Sequence, residues 1–457
     1  MFSISPQYYW KRLLLVPVLF VMPATLLAQS NMKTAEENAT RQIQNGNFES
    51  ASKLLRQELR GHPKNIELWN LLGIAETELR RPESAERAFK QGLAMAPRSV
   101  SLNENVGLLF YRQGDYRSAK QYLQTAAELG SQNPGVRFSL AASRLRTGEE
   151  AEALAELKAL EPALRGVSDY WEERGRAELP NDAVRAESSF NRALDLKPDS
   201  LVALNGAAEA AEKQGLDEKA LAYLIRARST APDDVPTLTH FGEVCIRRDL
   251  GPDARDALAK AHRLQPSNNS ALYYLARANI ALENWQMAYE LFNELSKRVP
   301  TFAPAFYAMG WLDVKLNRVD DARVQLEHAL ALSPSLSGAR YELAKLDLDS
   351  GDIEAAEKLL AIVLNQNPND AKANMTMGDI MERKRQTDAA QVFFEKAIRQ
   401  DPNLAAAHYK LSMIYFRKHQ TEQAEREKNI AATLTAKQNR ASKTQLRLVL
   451  PEAEAIH

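Results

Sequence analysis

The sequence is poor in the residues that cross-link a chain or activate a substrate. Cys245 is its single cysteine, so no disulfide can form within the chain and no cysteine cluster can hold zinc. Its 7 histidines are too far apart for the HExxH spacing of a zinc protease. A G-x-S-x-G elbow and a phosphate-binding glycine loop are also missing. We therefore expect no enzyme activity, no metal site and no cofactor.

An excess of one charge is missing as well. The chain has 59 basic and 59 acidic residues, and removing residues 1–28 would leave a net charge of 57 − 59 = −2. Proteins that bind nucleic acid through its phosphates present a basic surface. The balance of charge therefore argues against a nucleic-acid partner.

Long apolar runs are missing with one exception, Leu13–Leu27. Lys11 and Arg12 precede this run and Ala28 follows it, in the order that is typical of a secretory signal peptide. The run has 15 residues, and a transmembrane helix needs about 20. The sequence thus predicts a signal peptide over 1–28, an exported protein that is periplasmic or secreted, and no membrane insertion after cleavage. An uncleaved anchor is the alternative.

A period of 34 residues dominates the rest of the chain. Alanine recurs at this spacing with a single shorter step of 33, and in nine units a proline follows twelve residues after the alanine. The alanines are Ala51, Ala85, Ala119, Ala153, Ala186, Ala220, Ala254, Ala288, Ala322, Ala356, Ala390 and Ala424. The prolines are Pro63, Pro97, Pro198, Pro232, Pro266, Pro300, Pro334, Pro368 and Pro402. So regular a register indicates a repeat array.

Each period contains the pattern of two amphipathic helices. In the second unit, Trp69, Leu72 and Gly73 lie at helical spacing on a first helix, and Ala85 and Phe89 lie on a second. This pattern resembles the tetratricopeptide repeat (TPR), in which W-x2-L-G is followed by A, F, A and P at fixed offsets. The resemblance covers 32–436 and implies an all-α fold, a TPR superhelical solenoid of about 12 helix-turn-helix repeats.

Glycine occupies two places in this period. One group is predicted to lie where the two helices cross, because a larger side chain would hold them apart: Gly73, Gly107, Gly242, Gly310 and Gly378. The other group is predicted to lie in the turn within the hairpin, where a positive φ costs glycine little: Gly46, Gly114, Gly148, Gly215 and Gly351.

The period is interrupted near its middle. One unit has Arg165 in place of proline, and the next is one residue short and carries Pro180 in its inner turn. The interruption is either an irregular but folded repeat or a flexible joint between two blocks. We predict five segments: a signal peptide at 1–28, an N-terminal TPR block at 32–166, an irregular TPR unit at 167–200, a regular TPR block at 201–436, and a C-terminal capping helix or disordered tail at 437–457.

The resemblance places the first helices on the concave side of the solenoid, where partners bind. With 303–336 counted as one unit, position 5 of each unit is predicted to face this groove. In six units this position holds an aromatic residue: Phe138, Trp171, Tyr273, Tyr307, Tyr341 and Tyr409. The candidate partner-binding set is Tyr273, Arg277, Tyr307, Trp311, Tyr341, Lys345 and Tyr409. If these side chains lie outside the core between the helices, removing Tyr307 and Trp311 should leave the melting temperature almost unchanged. Alternatively, the tyrosines are part of the inherited repeat pattern.

Aromatic side chains flanked by charges suit extended peptides or exposed helices of a partner. The predicted function is a non-catalytic TPR scaffold that binds protein or peptide partners through its concave groove in the cell envelope. The alternative is an accessory TPR subunit of an envelope polysaccharide or protein export/assembly machine, since aromatic grooves also stack sugars and a glycan partner is possible.

Overall fold

A computed structural model describes the backbone of residues 26–441 and the side chains of residues 34–437. The predicted signal peptide at 1–28 lies outside the described residues, apart from 26–28 at the start of the first helix. The predicted tail at 437–457 also lies outside them, apart from 437–441 at the end of the last helix. Between these limits the chain is a succession of 24 helices, two to each 34-residue period. The predicted all-α fold of about 12 helix-turn-helix repeats is therefore confirmed.

The described chain divides into two compact units, 26–223 and 224–441, and helix α12 continues from the first into the second. The predicted blocks at 32–166, 167–200 and 201–436 stay a prediction. The helices that begin in the first unit are α1 Leu26–Gln44, α2 Phe48–Gly61, α3 Ile66–Glu78, α4 Pro82–Met95, α5 Val100–Gln113, α6 Tyr116–Glu128, α7 Pro134–Arg146, α8 Glu150–Leu164, α9 Ser168–Glu178, α10 Ala183–Leu196, α11 Leu201–Lys213 and α12 Asp217–Thr230.

The second unit continues the same alternation of first and second helices. Its helices are α13 Val235–Arg247, α14 Gly251–Leu264, α15 Asn269–Ala281, α16 Trp285–Arg298, α17 Ala303–Lys315, α18 Val319–Leu332, α19 Ser337–Ser350, α20 Ile353–Gln366, α21 Ala371–Arg383, α22 Thr387–Gln400, α23 Ala405–Arg417 and α24 Thr421–Ala441. Odd-numbered helices are the first helices of the repeats. Positions are numbered within a repeat so that 303–336 hold positions 1–34.

Small residues allow the two helices of a repeat to pack closely. All twelve alanines of the periodic series, at position 20, have no exposed surface. A Cβ built on Gly73 would lie 2.3 Å from the Phe89 ring, and one built on Gly310 would lie 2.7 Å from Leu326. The predicted role of these residues at the helix crossings is confirmed, because the space that a larger side chain would need is filled by the second helix.

The turn inside each hairpin needs a left-handed residue. The five predicted turn glycines all have positive φ. The sequence did not reveal that six other repeats place a non-glycine residue in the same conformation at the same position, 15: Arg80, Asp249, Glu283, Asn317, Arg385 and His419. The turn geometry is therefore a property of the repeat, and glycine is one of several residues that adopt it.

A hydrogen bond ties the first helix of many repeats to the residue at position 32 of the preceding one. Trp69 Nε1 donates to the carbonyl of Pro63 at 2.8 Å, and Asn374 Nδ2 donates to that of Pro368 at 3.0 Å. Both donors occupy position 4. The other position-4 donors to such a carbonyl are Asn103, Trp171, Arg340 and His408.

Two repeats with leucine at position 4 supply this donor from the second helix instead. Lys260 Nζ bonds the carbonyl of Pro232 at 2.7 Å, and the Arg298 guanidinium bonds that of Pro266. Because proline ends the second helix, its carbonyl has no partner within that helix. The donor in the following repeat satisfies it.

Candidate functional site

The predicted site residues lie on four first helices of the second unit. On three of these helices an aromatic residue is followed four positions later by a second candidate, so that both project from one face. They are Tyr273 and Arg277 on α15, Tyr307 and Trp311 on α17, and Tyr341 and Lys345 on α19, whereas Tyr409 lies alone on α23.

Tyr273 is part of the core between repeats. Its side chain has no exposed surface, and its ring makes edge-to-face contacts with Phe292 at 6.0 Å and with Phe302 at 5.7 Å between centroids. Phe302 immediately precedes α17, so the ring fills the space between one repeat and the next. The expectation that it lies outside the interhelix core was wrong.

Tyr307 and Trp311 are also buried, with 6% and 7% of their surface exposed. The Tyr307 hydroxyl lies 2.7 Å from the place where Gly338 would carry a Cβ, at the start of α19. Trp311 packs edge-to-face on Trp285, the first residue of α16, at 5.7 Å. Both rings thus bridge neighbouring repeats, and the expectation that they lie outside the interhelix core was wrong. We now expect their removal to lower the melting temperature. Their role in partner binding stays a prediction.

Tyr341 is only partly buried. Its hydroxyl lies 3.3 Å from Thr376 Oγ1 on α21, and burial raises the pKa of that hydroxyl. Lys345 Nζ lies 5.8 Å from the Tyr341 ring centroid and pairs with Glu342 at 3.1 Å. Burial alone would lower the pKa of Lys345, but the Glu342 carboxylate outweighs it and raises that pKa. This pair therefore contributes little net charge to the surface.

Two cations lie over buried aromatic rings. The Arg277 guanidinium is 5.6 Å from the Tyr273 centroid and 5.5 Å from that of Tyr274. Lys315 Nζ is 5.0 Å from the centroid of Trp311. Lys315 was not among the predicted residues, although its spacing of four from Trp311 indicates that the two share a helix face. The buried aromatic rings thus form the floor of this surface, and the two cations lie above them, where a partner can reach them.

Asp313 is a buried acid on the same helix as Trp311. Its side chain has no exposed surface, and neither carboxylate oxygen has a hydrogen-bond partner. Arg318 Nη1 lies 3.6 Å from Oδ1, which is too far for a good hydrogen bond. Burial raises the pKa of this carboxyl group from 3.8 to about 6, and Arg318 only partly opposes the shift. This burial could not be predicted from the sequence, because the residue pattern of α17 does not show what packs against Asp313.

Helix α23 exposes an apolar stripe that includes one predicted residue. Tyr409 is 53% exposed, and Met413 and Phe416 follow at 38% and 36%. Their spacing of four and three residues places them on one face. Met413 and Phe416 were missed by the sequence prediction, although their spacing from Tyr409 carried the signal. Large exposed apolar side chains in a group mark an interaction surface more often than scattered ones do.

Comparison of the sequence with models of known protein families identifies the family of this chain. Models described as tetratricopeptide repeat match residues 37–100, 110–175, 249–301, 313–380, 371–404 and 393–426. The chain belongs to the tetratricopeptide repeat family. The predicted resemblance is thus confirmed, and the TPR fold suggests a protein-interaction scaffold.

Several solved structures are similar in fold to this TPR chain. The APC/C hetero-tetramer Cut9–Hcn1 matches with a TM-score of 0.45 at 14% identity, over 90% of this chain and 88% of that one. Yeast Tom70 matches with a TM-score of 0.42 at 15% identity, over 91% and 97%. YrrB, described as a TPR protein with an unusual peptide-binding site, matches with a TM-score of 0.37 at 16% identity, over 40% and 95%. No curated protein matches the chain.

The TPR register corrects one assignment in the irregular repeat. Trp171 Nε1 donates to the carbonyl of Arg165 at 2.9 Å, as Trp69 does to that of Pro63, and a Cβ on Gly175 would meet Phe190 at 2.8 Å. Trp171 therefore occupies position 4, and its prediction at position 5 was wrong. The missing residue lies before α10, because α9 has 11 residues, whereas the other first helices after α1 have 13 or 14.

Three further properties of the described residues concern metal ions, membranes and the single cysteine. Among side chains 34–437, no group of three or more histidine, cysteine, aspartate or glutamate residues is arranged to hold a metal ion. No helix within 26–441 is long and apolar enough to cross a membrane. Cys245 is buried, and burial raises the pKa of its thiol to about 12, so it stays protonated at neutral pH.

Proposed function

We propose that this protein is a non-catalytic scaffold that binds polypeptide partners through the first helices of its second unit. The observation that carries the proposal is the exposed stripe of Tyr409, Met413 and Phe416 on α23. Tyrosine and phenylalanine supply large contact areas with few rotamers to fix, which is why aromatic residues anchor protein interfaces. The interior of the last described hairpin does not need these exposed side chains, so their burial by a partner would gain free energy.

We further propose that the scaffold works in the cell envelope after export. Support comes from the basic, apolar and small residues of 1–28, with Lys11 and Arg12 before the apolar run. Cleavage after Ala28 would give a mature chain that begins at Gln29. Sequencing the N-terminus of the protein from envelope fractions tests this, and a mature chain that retains Trp10 would overturn it.

The binding surface can be tested in the native cell with a photo-crosslinking amino acid. It replaces Tyr409 or Met413 on the first helix α23. The matched controls are Val324 on α18 and Val392 on α22, which are 61% and 48% exposed but lie on second helices. We expect discrete protein adducts from the two α23 positions and none from the control positions.

Two other results would overturn the scaffold proposal. Equal labelling from all four positions would mean that first helices are not the binding surface. Retained glycan without any protein adduct would instead support the accessory subunit of a polysaccharide machine, because sugars stack on aromatic side chains too.

A further inference from the structure

The first helices α15 and α17 carry very little charge. Apart from tyrosine, their ionisable side chains are Arg277, Asp313 and Lys315, and Asp313 has no exposed surface. Arg277 and Lys315 are partly exposed. Among the side chains that the structure describes, no carboxylate lies within ion-pair distance of Arg277 or Lys315. Both cations lie instead over aromatic rings. These two helices therefore carry two positive charges and no accessible negative one of their own. The neighbouring acid on α13, Glu243, contacts Tyr274 and is paired with Arg247 at 3.0 Å.

Several cations on other first helices are paired with acids. Arg112 on α5 lies 3.1 Å from Glu78, and Arg146 on α7 lies 2.9 Å from Glu173. On α23, Lys410 lies 2.8 Å from Asp379, and Arg417 lies 2.5 Å from Glu382. The pairing there leaves little charge for a partner. Lys213 on α11 and Arg383 on α21 also lie outside ion-pair distance of any carboxylate among the described side chains. What distinguishes Arg277 and Lys315 is the buried aromatic ring beneath each of them.

The rings beneath these two cations hold them without neutralising them. An aromatic face attracts a cation through its quadrupole but carries no net charge. A guanidinium stacked on a ring keeps the N–H donors that lie in its own plane. An ammonium keeps the N–H donors that point away from the ring. Because Tyr273 and Trp311 are themselves fixed by inter-repeat packing, they hold the charges at defined places. Fixed, unpaired donors are suited to carboxylates of a binding partner.

The repeat geometry gives an approximate spacing for such carboxylates. Arg277 occupies position 9 and Lys315 position 13 of the next repeat, so they differ by one turn, about 6 Å along the helix axis. Because α16 packs between α15 and α17, these two first helices are separated by at least about 10 Å. The resulting distance of at least about 12 Å corresponds to four or more residues of an extended chain that rises about 3.3 Å per residue.

We propose that Arg277 and Lys315 bind an acidic, extended segment of a partner polypeptide, with two carboxylates at least four residues apart. The proposal rests on the scaffold function above and names the chemistry of its partner. A partner polypeptide fits better than an anionic polymer such as nucleic acid or acidic polysaccharide, because those need a row of cations along the backbone. Here the next cation along, Lys345, is already paired with Glu342.

The test measures binding of fluorescein-labelled decaglutamate to the full chain by fluorescence anisotropy. The variant is Arg277→Gln with Lys315→Gln, which removes both charges and keeps a polar side chain at each position. The matched control is Arg263→Gln with Lys297→Gln, which removes two exposed, unpaired cations from the second helices α14 and α16. We expect the dissociation constant to rise at least about tenfold for the variant, which corresponds to the loss of charge-assisted contacts. The control should stay within about twofold.

A second variant guards against loss of folding. Arg277→Lys with Lys315→Arg keeps both charges and should bind decaglutamate within about threefold of the original chain. Equal weakening by the variant and the control, or no binding of decaglutamate by the unmodified chain, overturns the proposal. Binding of oligogalacturonate that depends on Arg277 and Lys315, without binding of decaglutamate, also overturns it in favour of a glycan.

The crosslinking experiment separates this proposal from the one on which it rests. If the protein adducts at Tyr409 persist but decaglutamate does not bind, the acidic ligand is wrong and the scaffold function stands. If neither α23 position gives a protein adduct, the scaffold function itself fails.

Discussion

At the scale of single residues, the inner turn of a repeat requires a residue with positive φ at position 15. Gly351 has φ +91°, and a Cβ built there would meet nothing within 4 Å. We predict that Gly351→Ala lowers the free energy of unfolding by about 1 kcal/mol, because an L-residue with a Cβ is strained in this conformation. The effect is conformational alone, since no neighbour would clash.

The control for this substitution is Gly61→Ala. Gly61 is the last residue of α2, has no positive φ, and also has open space where a Cβ would go. Alanine there should preserve or slightly raise stability, because it restricts the unfolded chain. The midpoints of urea unfolding compare the two, and equal losses would contradict the conformational explanation.

A second prediction at this scale concerns Asp313. Its folded pKa of about 6 lies above the unfolded value of 3.8, so the native state binds a proton more tightly. The free energy that it costs to bury the Asp313 carboxylate charge is absent below about pH 4. This cost grows as the pH rises and is complete above about pH 6. Asp313→Asn should therefore stabilise the protein at pH 8 by as much as about 3 kcal/mol, at 1.36 kcal/mol per pKa unit, and have almost no effect at pH 4.

Asp256→Asn is the control for Asp313→Asn, because the Asp256 side chain is 71% exposed. It should change stability by no more than about 0.5 kcal/mol at either pH. Unfolding midpoints at pH 4 and pH 8 decide the matter. A stabilisation by Asp313→Asn that is the same at both pH values would show that the carboxylate charge is not its cause.

At the scale of helices, the alanine series makes a prediction about packing. Ala288 on α16 has no exposed surface, whereas the Lys428 side chain on α24 is 54% exposed. Ala288→Leu should cost about 1–3 kcal/mol by overpacking the helix crossing. Lys428→Ala should change stability by no more than about 0.5 kcal/mol. Paired thermal melts measure both, and equal shifts would contradict the assigned register.

The helices and their crossings could be predicted from the sequence because few residue types fit there. Ala288 and Gly310 lie where backbones meet, and only small side chains satisfy that geometry at every repeat. The environment of position 5 is different. Tyr273 and Tyr409 occupy the same position, yet one is fully buried and the other is 53% exposed.

The difference between those two tyrosines comes from neighbours that the repeat pattern does not specify. Phe302, at the entrance to α17, covers the ring of Tyr273, and α23 is the last first helix in the described part of the chain. A pattern of 34 residues specifies which face of a helix a side chain occupies. The pattern does not specify which side chains of the next repeat pack against that face, so the binding surface could not be predicted from the sequence.

At the scale of the whole chain, near-neighbour packing predicts that part of the array folds alone. In a repeat array each unit contacts mainly the units beside it, so stability is roughly additive along the chain. We predict that the fragment 201–457, which begins at α11, is helical and melts cooperatively. Circular dichroism of the fragment and of the full chain checks this, and an unfolded fragment would show that an indispensable contact lies before residue 201.

The hydrogen bonds between successive repeats also bear on how such a chain can change in length. Whether the donor is Trp69 at position 4 or Lys260 on a second helix, it belongs to the repeat that follows the acceptor carbonyl. A duplicated repeat that carries such a donor therefore brings it for whatever precedes the repeat, and a deleted one removes its donor together with its place in the series. Unequal recombination in steps of 34 codons would leave no carbonyl stranded at these junctions, so these hydrogen bonds by themselves would require no compensating mutation.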